Sequence, residues 1–376
     1  MTFHVMIIPT LGCQCNCKYC WGSESTKEIM DISVIDDIIT WLKDFRDDKV
    51  HFTFHGGEPL LAGYDFYAQA LEKLSKIDNV EGFSLQSNIW LLSDELIDLF
   101  LKYNVVVSTS IDGPEEINDY QRAEGYFEKT MSGYERAKEK GLNINFVLTV
   151  TQYSKDYSDE LYDFFKSNGM NLKIHAALPS LRGDNADPWA LNQEEHGKLL
   201  IDWLDKYLYD LDKFSVMDLD HIAKSTFRRR GTLCTFADCI GTTLAVGADG
   251  SIYPCYRFVG MDEYILGNVK ENPSFDKLKE SDAWAKLQEF REYVDENCAK
   301  CRYVKYCEGG CPYNAIVVSK TPKAVDPQCV AYKMIFGEVS KRLNKEFAKN
   351  ALGGLNGPSV KKENEAFSIM DLMMKP

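Results

Sequence analysis

No run of 18 apolar residues occurs in this 376-residue chain, and its first residues, Met1-Thr2-Phe3-His4, lack the charged and then apolar pattern of a secretion signal. Neither a membrane span nor export is expected, and the sequence reads as cytoplasmic. Positive charge is also short. With 43 Lys and Arg against 57 Asp and Glu, the formal net charge is −14. That balance argues against duplex nucleic acid or an anionic membrane as the main partner. No internal repeat is evident. Cysteine, by contrast, is plentiful at 12 residues. Thiols in a reducing cytosol do not persist as disulfides, so this number points to metal or redox chemistry and, if oxygen-labile, to an anaerobic setting. The length allows two domains, or one large α/β domain with an extension.

The first half alternates strand and helix signals. Apolar or alternating runs at Val5–Pro9, His51–His55, Phe83–Ser87, Val105–Ile111, Asn143–Thr149 and Leu172–Ala177 predict strands. Between them, Ser33–Phe45 has apolar residues at helical spacing with Ser33 as the expected N-cap. Ser93 is expected to cap a helix through Leu101, and Tyr126–Glu139 and Asp156–Ser167 read as two more. Six βα units imply a parallel sheet with covering helices, short of a full eight-unit barrel. Pro179 to Asp184 reads as a loop and Asn192 to Tyr209 as an amphipathic helix. From Cys234 short hairpin signals replace the βα rhythm, with Gly250 at a turn. The expected division is a partial barrel over 1–185, a helical linker over 186–230, a cysteine-rich domain over 231–345 and a tail over 346–376. The tail ends on Phe367, Ile369, Met370, Leu372 and Met373, either frayed or docked back on the body.

Directly after the first strand come Cys13-x3-Cys17-x2-Cys20, three thiols in one loop, with Cys15 a bystander outside that spacing. Thiolates are soft ligands suited to iron–sulfur clusters. A [4Fe–4S] cube takes four ligands, so three cysteines leave one iron open. Gly56-Gly57-Glu58-Pro59 follows the second strand, Gln86-Ser87-Asn88 the third (with Ile89 in place of a glycine), and Ser110-Ile111-Asp112-Gly113-Pro114 with Arg122 the fourth. Together these resemble the radical S-adenosylmethionine (radical SAM) superfamily. The resemblance implies that S-adenosylmethionine chelates the open iron. It also implies that Tyr19 approaches the adenine, that Gly56, Gly57 and Glu58 meet the ammonium group, and that Asn88, Ser110, Asp112 and Arg122 bind the carboxylate and ribose. Leu148 and Ala177 would line the adenosine pocket, a plain core role being the equal alternative. For Ser87, Asn88 and Ser110 the alternative is ordinary strand-end capping.

The C-terminal pattern is Cys234-x4-Cys239, Cys255, then Cys298-x2-Cys301-x5-Cys307-x3-Cys311, then Cys329. With Leu266-Gly267-Asn268-Val269 and Gly309-Gly310-Cys311-Pro312 it resembles the SPASM domain of peptide- and protein-modifying members of that superfamily. The resemblance implies two auxiliary [4Fe–4S] clusters, one on Cys234, Cys239, Cys255 and Cys311, the other on Cys298, Cys301, Cys307 and Cys329. Four-cysteine zinc sites are the alternative. With the first loop this makes three clusters.

The function implied is reductive cleavage of S-adenosylmethionine to a 5′-deoxyadenosyl radical that modifies a side chain of a ribosomally made peptide or client protein, by cross-linking or oxidation. Flavodoxin or ferredoxin would be the reductant. Similar anaerobic sulfatase-maturating enzymes carry an aspartate base after the third ligand of the first auxiliary cluster. Here that residue is Tyr256, and a phenol is a poor base near neutral pH. Tyr256 is nonetheless expected near the substrate, and His55 is a second candidate contact, a strand-end structural role being the equal alternative. Sulfatase maturation by another base, and a non-catalytic iron–sulfur electron carrier, are the competing readings. Arg228-Arg229-Arg230 is expected to be a solvated run or a contact for an acidic leader peptide. No room for a leader-binding domain is expected ahead of the barrel.

Overall fold

A computed structural model describes residues 2–20, 28–45, 49–179, 188–353 and 366–375. In chain order its strands are β1 (Thr2–Thr10), β2 (Lys49–Gly56), β3 (Val80–Gln86), β4 (Val106–Ser110), β5 (Ile144–Val150), β6 (Leu172–Ala176), β7 (Thr243–Val246), β8 (Ser251–Tyr253) and β9 (Gly267–Asn268). The helices are α1 (Ser33–Trp41), α2 (Gly63–Leu74), α3 (Asp94–Lys102), α4 (Glu115–Gln121), α5 (Tyr126–Glu139), α6 (Ser158–Ser167), α7 (Gln193–Asp210) and α8 (Met217–Arg228). They continue as α9 (Phe275–Leu278), α10 (Asp282–Asn297), α11 (Val304–Cys307), α12 (Cys329–Gly353) and α13 (Ile369–Met374). Among the described residues no helix is long and apolar enough to cross a membrane.

The chain packs as two compact units, each assembled from separated stretches. The first comprises 1–111, 115–145 and 239–289, and the second 112–114, 146–238 and 290–376. In the first unit β1 to β4 are parallel neighbours in sequence order, the arrangement expected of βα units. Successive side chains alternate faces. Val5, Ile7, Phe52, Phe54, Phe83, Leu85 and Val107 are buried on one face. The half-exposed His51, Thr53, His55, Ser84, Gln86, Ser108 and Ser110 occupy the other. The apolar face is covered by helices such as α1, which buries Val34, Ile35, Ile38 and Trp41. Ser33 is not the cap of α1. It is the first helical residue, its N–H donating 2.8 Å to Asp31 Oδ1, while the N-cap Ile32 has no capping side chain. Ser93 does cap α3, accepting from Leu96 N–H.

On its other edge β1 pairs in parallel with β7, His4 opposite Thr243 and Ile7 opposite Val246. β7 then forms the expected hairpin with β8, turning at Gly250, whose φ of 89° suits glycine. Trp41 Nε1 donates 3.0 Å to Pro273 O, tying α1 to the late part of the same unit.

In the second unit β5 and β6 pair in parallel, Leu148 opposite Ile174. Helices α6, α7, α8 and α12 pack around edge-to-face aromatic pairs: Tyr162–Trp203 at 5.3 Å, Tyr207–Phe214 at 5.6 Å and Phe236–Phe336 at 5.1 Å. Helix α13 docks back. Ser368 caps it in a capping box, Ile369, Leu372 and Met373 are buried, and Lys375 Nζ donates to Tyr207 Oη at 2.6 Å and Phe214 O at 2.8 Å. Of the two expectations for the chain end, docking is the one observed.

Candidate functional site

In the first unit β1 delivers the chain to the cysteine loop, and the end of β2 holds it. Gly57 N donates to Thr10 O (3.1 Å) and Glu58 N to Gly12 O (2.8 Å). A Cβ on Gly57 would collide with the carbonyl oxygens of Leu11 and Gly12, and Gly56 has a φ of 131°. The two glycines therefore make room for the loop's own backbone, a contact that the motif alone did not reveal. Within the loop Cys20 N donates to Cys17 O (3.0 Å), and Lys18 N donates to Gln121 O (3.0 Å) at the end of α4.

The thiols sit in a donor-rich setting. Cys13 and Cys20 are exposed, Cys15 and Cys17 half-buried. Cys13 Sγ accepts from Cys15 N–H at 3.4 Å. The Cys15 thiol donates to Cys13 and is the chief reason that Cys13 is drawn below the ordinary thiol range, with Arg122 assisting. The same contact, with burial, pushes Cys15 up. Asn88 Nδ2 donates to Cys15 Sγ at 3.3 Å, and the buried Arg122 directs Nη1 to Cys17 Sγ at 3.9 Å. The Arg122 guanidinium lies 5.4 Å from the Tyr19 ring and 4.8 Å from that of Tyr126.

Glu58 is 1% exposed. Its Oε1 accepts from Ser87 Oγ (2.7 Å) and Leu60 N (2.9 Å), and its Oε2 from Asn88 N (2.7 Å). Burial, opposed by these bonds, pushes its carboxyl up to about 7. The carboxylate thus locks the end of β3 to the end of β2. Ile89, where the motif has glycine, adopts φ 58°, a strained value for a β-branched residue. Gly133 leaves space for its carbonyl, since a Cβ there would stand 2.6 Å from Ile89 O. Ser110 Oγ accepts from Gln86 Nε2 at 3.1 Å.

Cys239 and Cys255 belong to this first unit. Cys255 Sγ accepts from Arg257 N at 3.4 Å and opens a 3₁₀ turn over Tyr256–Phe258. The Tyr256 ring stacks on His55, and its hydroxyl accepts from Arg257 Nε at 3.2 Å.

In the second unit Asp112 is fully buried and Oδ1 accepts from Thr149 N at 2.9 Å. Leu148 is buried on the face of β5 that carries Phe146 and Val150, a core position. Ala177 is buried, donating to Val150 O at 2.8 Å. Cys234 and Cys311 also lie here, so the expected first auxiliary set is divided between the units. The exposed Arg228 ends α8, Arg229 is its C-cap at φ 52° and the exposed Arg230 follows it.

The set Cys298, Cys301, Cys307 and Cys329 lies wholly in the second unit, and all four line one cavity of about 230 Å³ with Tyr303, Tyr332 and Phe336. Tight turns place them: Cys301 N donates to Cys298 O (2.8 Å), and Gly310 N to Cys307 O (2.8 Å). Burial, with the negative Asp326 beside it, raises the Cys307 thiol. Among the described residues no group of three or more His, Cys, Asp or Glu side chains is drawn together tightly enough to hold a single metal ion. The donor chemistry, four thiols around a cavity, fits an iron–sulfur cluster. Asp326 is the residue that sequence reasoning missed. Its only sequence signal is the Asp326-Pro327 step ahead of Cys329, which reads as a turn.

Comparison with known families matches residues 7–165 to the radical SAM superfamily and residues 234–302 to an iron–sulfur cluster-binding domain. An uncharacterised protein of Methanothermobacter thermautotrophicus is 47% identical over 233 residues, 61% of this chain and 89% of that one. A cysteine-type anaerobic sulfatase-maturating enzyme of Clostridium perfringens is 26% identical, covering 88% of this chain and 94% of its own. A serine-type enzyme of Bacteroides thetaiotaomicron is also 26% identical, over 95% and 93%. Among solved structures, native anSMEcpe with bound AdoMet superposes with a TM-score of 0.80 at 25% identity, covering 93% of this chain and 100% of that one.

Proposed function

We propose, for a chain that belongs to the radical SAM superfamily and carries an iron–sulfur cluster-binding SPASM domain, that it oxidatively modifies a side chain of a ribosomally made peptide or client protein. The observation that carries this reading is the cysteine loop pinned by Gly57 and Glu58 at the end of β2, with Asn88 and Arg122 donating to its sulfurs. Cys13, Cys17 and Cys20 would hold the catalytic cluster, which when bound supplies reductive cleavage of S-adenosylmethionine. Arg122 and Asn88 set the charge and orientation of the loop, and Arg122 holds Tyr19 against its guanidinium. Glu58 keeps the two strand ends in register.

Two auxiliary clusters complete the reading, on Cys298, Cys301, Cys307 and Cys329, and on Cys234, Cys239, Cys255 and Cys311. Fully thiolate-ligated, they are suited to carrying electrons away from a substrate radical. A flavodoxin- or ferredoxin-type protein supplies the first electron.

Similarity to the sulfatase-maturating enzymes favours formylglycine formation as a second reading. Tyr256, at the position where the resemblance places an aspartate base, favours a cross-link or other C–H oxidation instead. Anaerobically reconstituted protein is expected to form 5′-deoxyadenosine. Mass spectrometry of a sulfatase-derived Cys or Ser peptide, set beside peptides encoded next to this gene, then decides between the two. Absence of 5′-deoxyadenosine under reducing conditions would reduce the protein to an electron carrier.

A further inference from the structure

Asp326 is 1% exposed and bound to the backbone of the Gly309–Cys311 segment and of Cys329. Its Oδ2 accepts from Cys311 N (3.0 Å), Asn314 Nδ2 (2.8 Å) and Tyr332 Oη (3.3 Å), and its Oδ1 from Gln328 N (2.8 Å). Its own N–H donates to Gly309 O (3.1 Å), and its carbonyl accepts from Cys329 N (2.9 Å). Gly310, at φ 84°, has no room for a Cβ because Asp326 Cβ fills the space. Gly310 is therefore shaped around this side chain, while a Cβ on Gly309 would meet Val294.

These four contacts all come from N–H or O–H groups, which a carboxylate accepts. Three of its neighbours, Gly309, Tyr332 and Cys329, also line the four-cysteine cavity. A fixed negative charge in a poorly solvated site opposes the arrival of another electron nearby. Net charge and hydrogen bonding around the thiolates are the protein's levers on cluster potential.

We propose that Asp326 is a positioning residue that holds the Cys307, Cys311 and Cys329 segments together and lowers the reduction potential of the cluster held in the Cys298–Cys301–Cys307–Cys329 cavity. This rests on the reading of that cavity as an iron–sulfur site. A low-potential centre there passes an electron onward readily.

The test uses the full chain with Cys13, Cys17 and Cys20 replaced by alanine, so that only auxiliary clusters remain for redox titration followed by electron paramagnetic resonance. This parent is expected to hold about eight irons. Zinc in their place overturns the reading of the cavity and the inference with it. Asp326→Asn preserves shape and removes the charge. At the parent's midpoint its reduced-to-oxidised ratio is expected to rise about tenfold, about 59 mV for one electron. Tyr332→Phe keeps the charge, removes one donor and is expected to shift the midpoint the other way. A full iron complement with unmoved midpoints in both variants overturns the proposal and leaves the cavity reading standing. Should Asp326→Asn lose its iron, the Tyr332→Phe midpoint alone decides.

Discussion

The ring of Tyr256 lies against the imidazole of His55, centroids 3.9 Å apart and planes 26° apart. His55 is the last residue before the glycine pair that holds the cysteine loop, and its Nδ1 accepts from Gly56 N at 2.7 Å. The residue after Cys255 is thereby brought to the end of β2, beside the loop on which the proposed chemistry depends.

Tyr256→Phe keeps this stack and removes the hydroxyl that accepts from Arg257. If the hydroxyl orients substrate, product formation is expected to fall about tenfold, the loss of one orienting hydrogen bond, while uncoupled 5′-deoxyadenosine formation persists. An unchanged rate assigns Tyr256 to packing. Formylglycine made by Tyr256→Asp, and not by the parent, places the chain beside the sulfatase-maturating enzymes.

Anaerobic reconstitution is expected to give about twelve irons per chain, three cubes. About four irons with about two zinc ions would remove the auxiliary clusters and spare the catalytic one.

Replacing Cys13, Cys17 and Cys20 by alanine is expected to remove about four of those irons and abolish S-adenosylmethionine cleavage. Cys15→Ala is expected to leave both largely intact. Equal loss in Cys15→Ala would show that the ligand register is wrong.

Much of this architecture is legible in the sequence, because a half-buried strand writes its alternation into the chain. Six parallel-strand segments carry that alternation, while the Ser93 cap and Tyr126–Glu139, which matches α5 to the residue, carry the helical signals of capping and spacing. Ser33 misled because an Asp two residues earlier takes its N–H. Helix α12 begins on Cys329, a residue whose spacing reads as part of the cysteine pattern and carries no helix-start signal of its own. In the site, the ligand spacings are local and so are readable. Glu58 bonding to Ser87 and Asn88, or Tyr256 meeting His55, joins residues far apart in sequence. No local pattern encodes those meetings.

His196 is buried in the second unit, Nδ1 3.0 Å from Gln328 Oε1, and burial lowers its pKa from 6.5 to about 4. The unfolded chain therefore binds the extra proton between those values and the folded one does not. Stability contributed by the neutral ring is full above pH 6.5 and is lost as pH falls toward 4, at about 1.36 kcal/mol per pH unit and about 3 kcal/mol at most. Thermal melts of wild type and His196→Gln are expected to converge over that window. A Tm difference independent of pH would show that His196 does not bury a neutral ring.

Leu372→Ala in α13 is expected to cost about 2–5 kcal/mol if the docked tail is part of the core. A Tm unchanged from wild type would show the docking to be dispensable.

The pairing of β1 with β7 sets a timetable for synthesis. One edge of β1 has no partner until residues 243–246 have left the ribosome, at about 5–20 residues per second a wait on the order of ten to fifty seconds. During that wait an apolar strand carries an open row of backbone groups, the template on which chains aggregate. Any fragment ending near residue 230 keeps that edge open permanently. The cysteine-rich segment thus acts, besides any cluster it holds, as the closing strand of the first unit, and soluble yield should depend on its presence even when no iron is supplied.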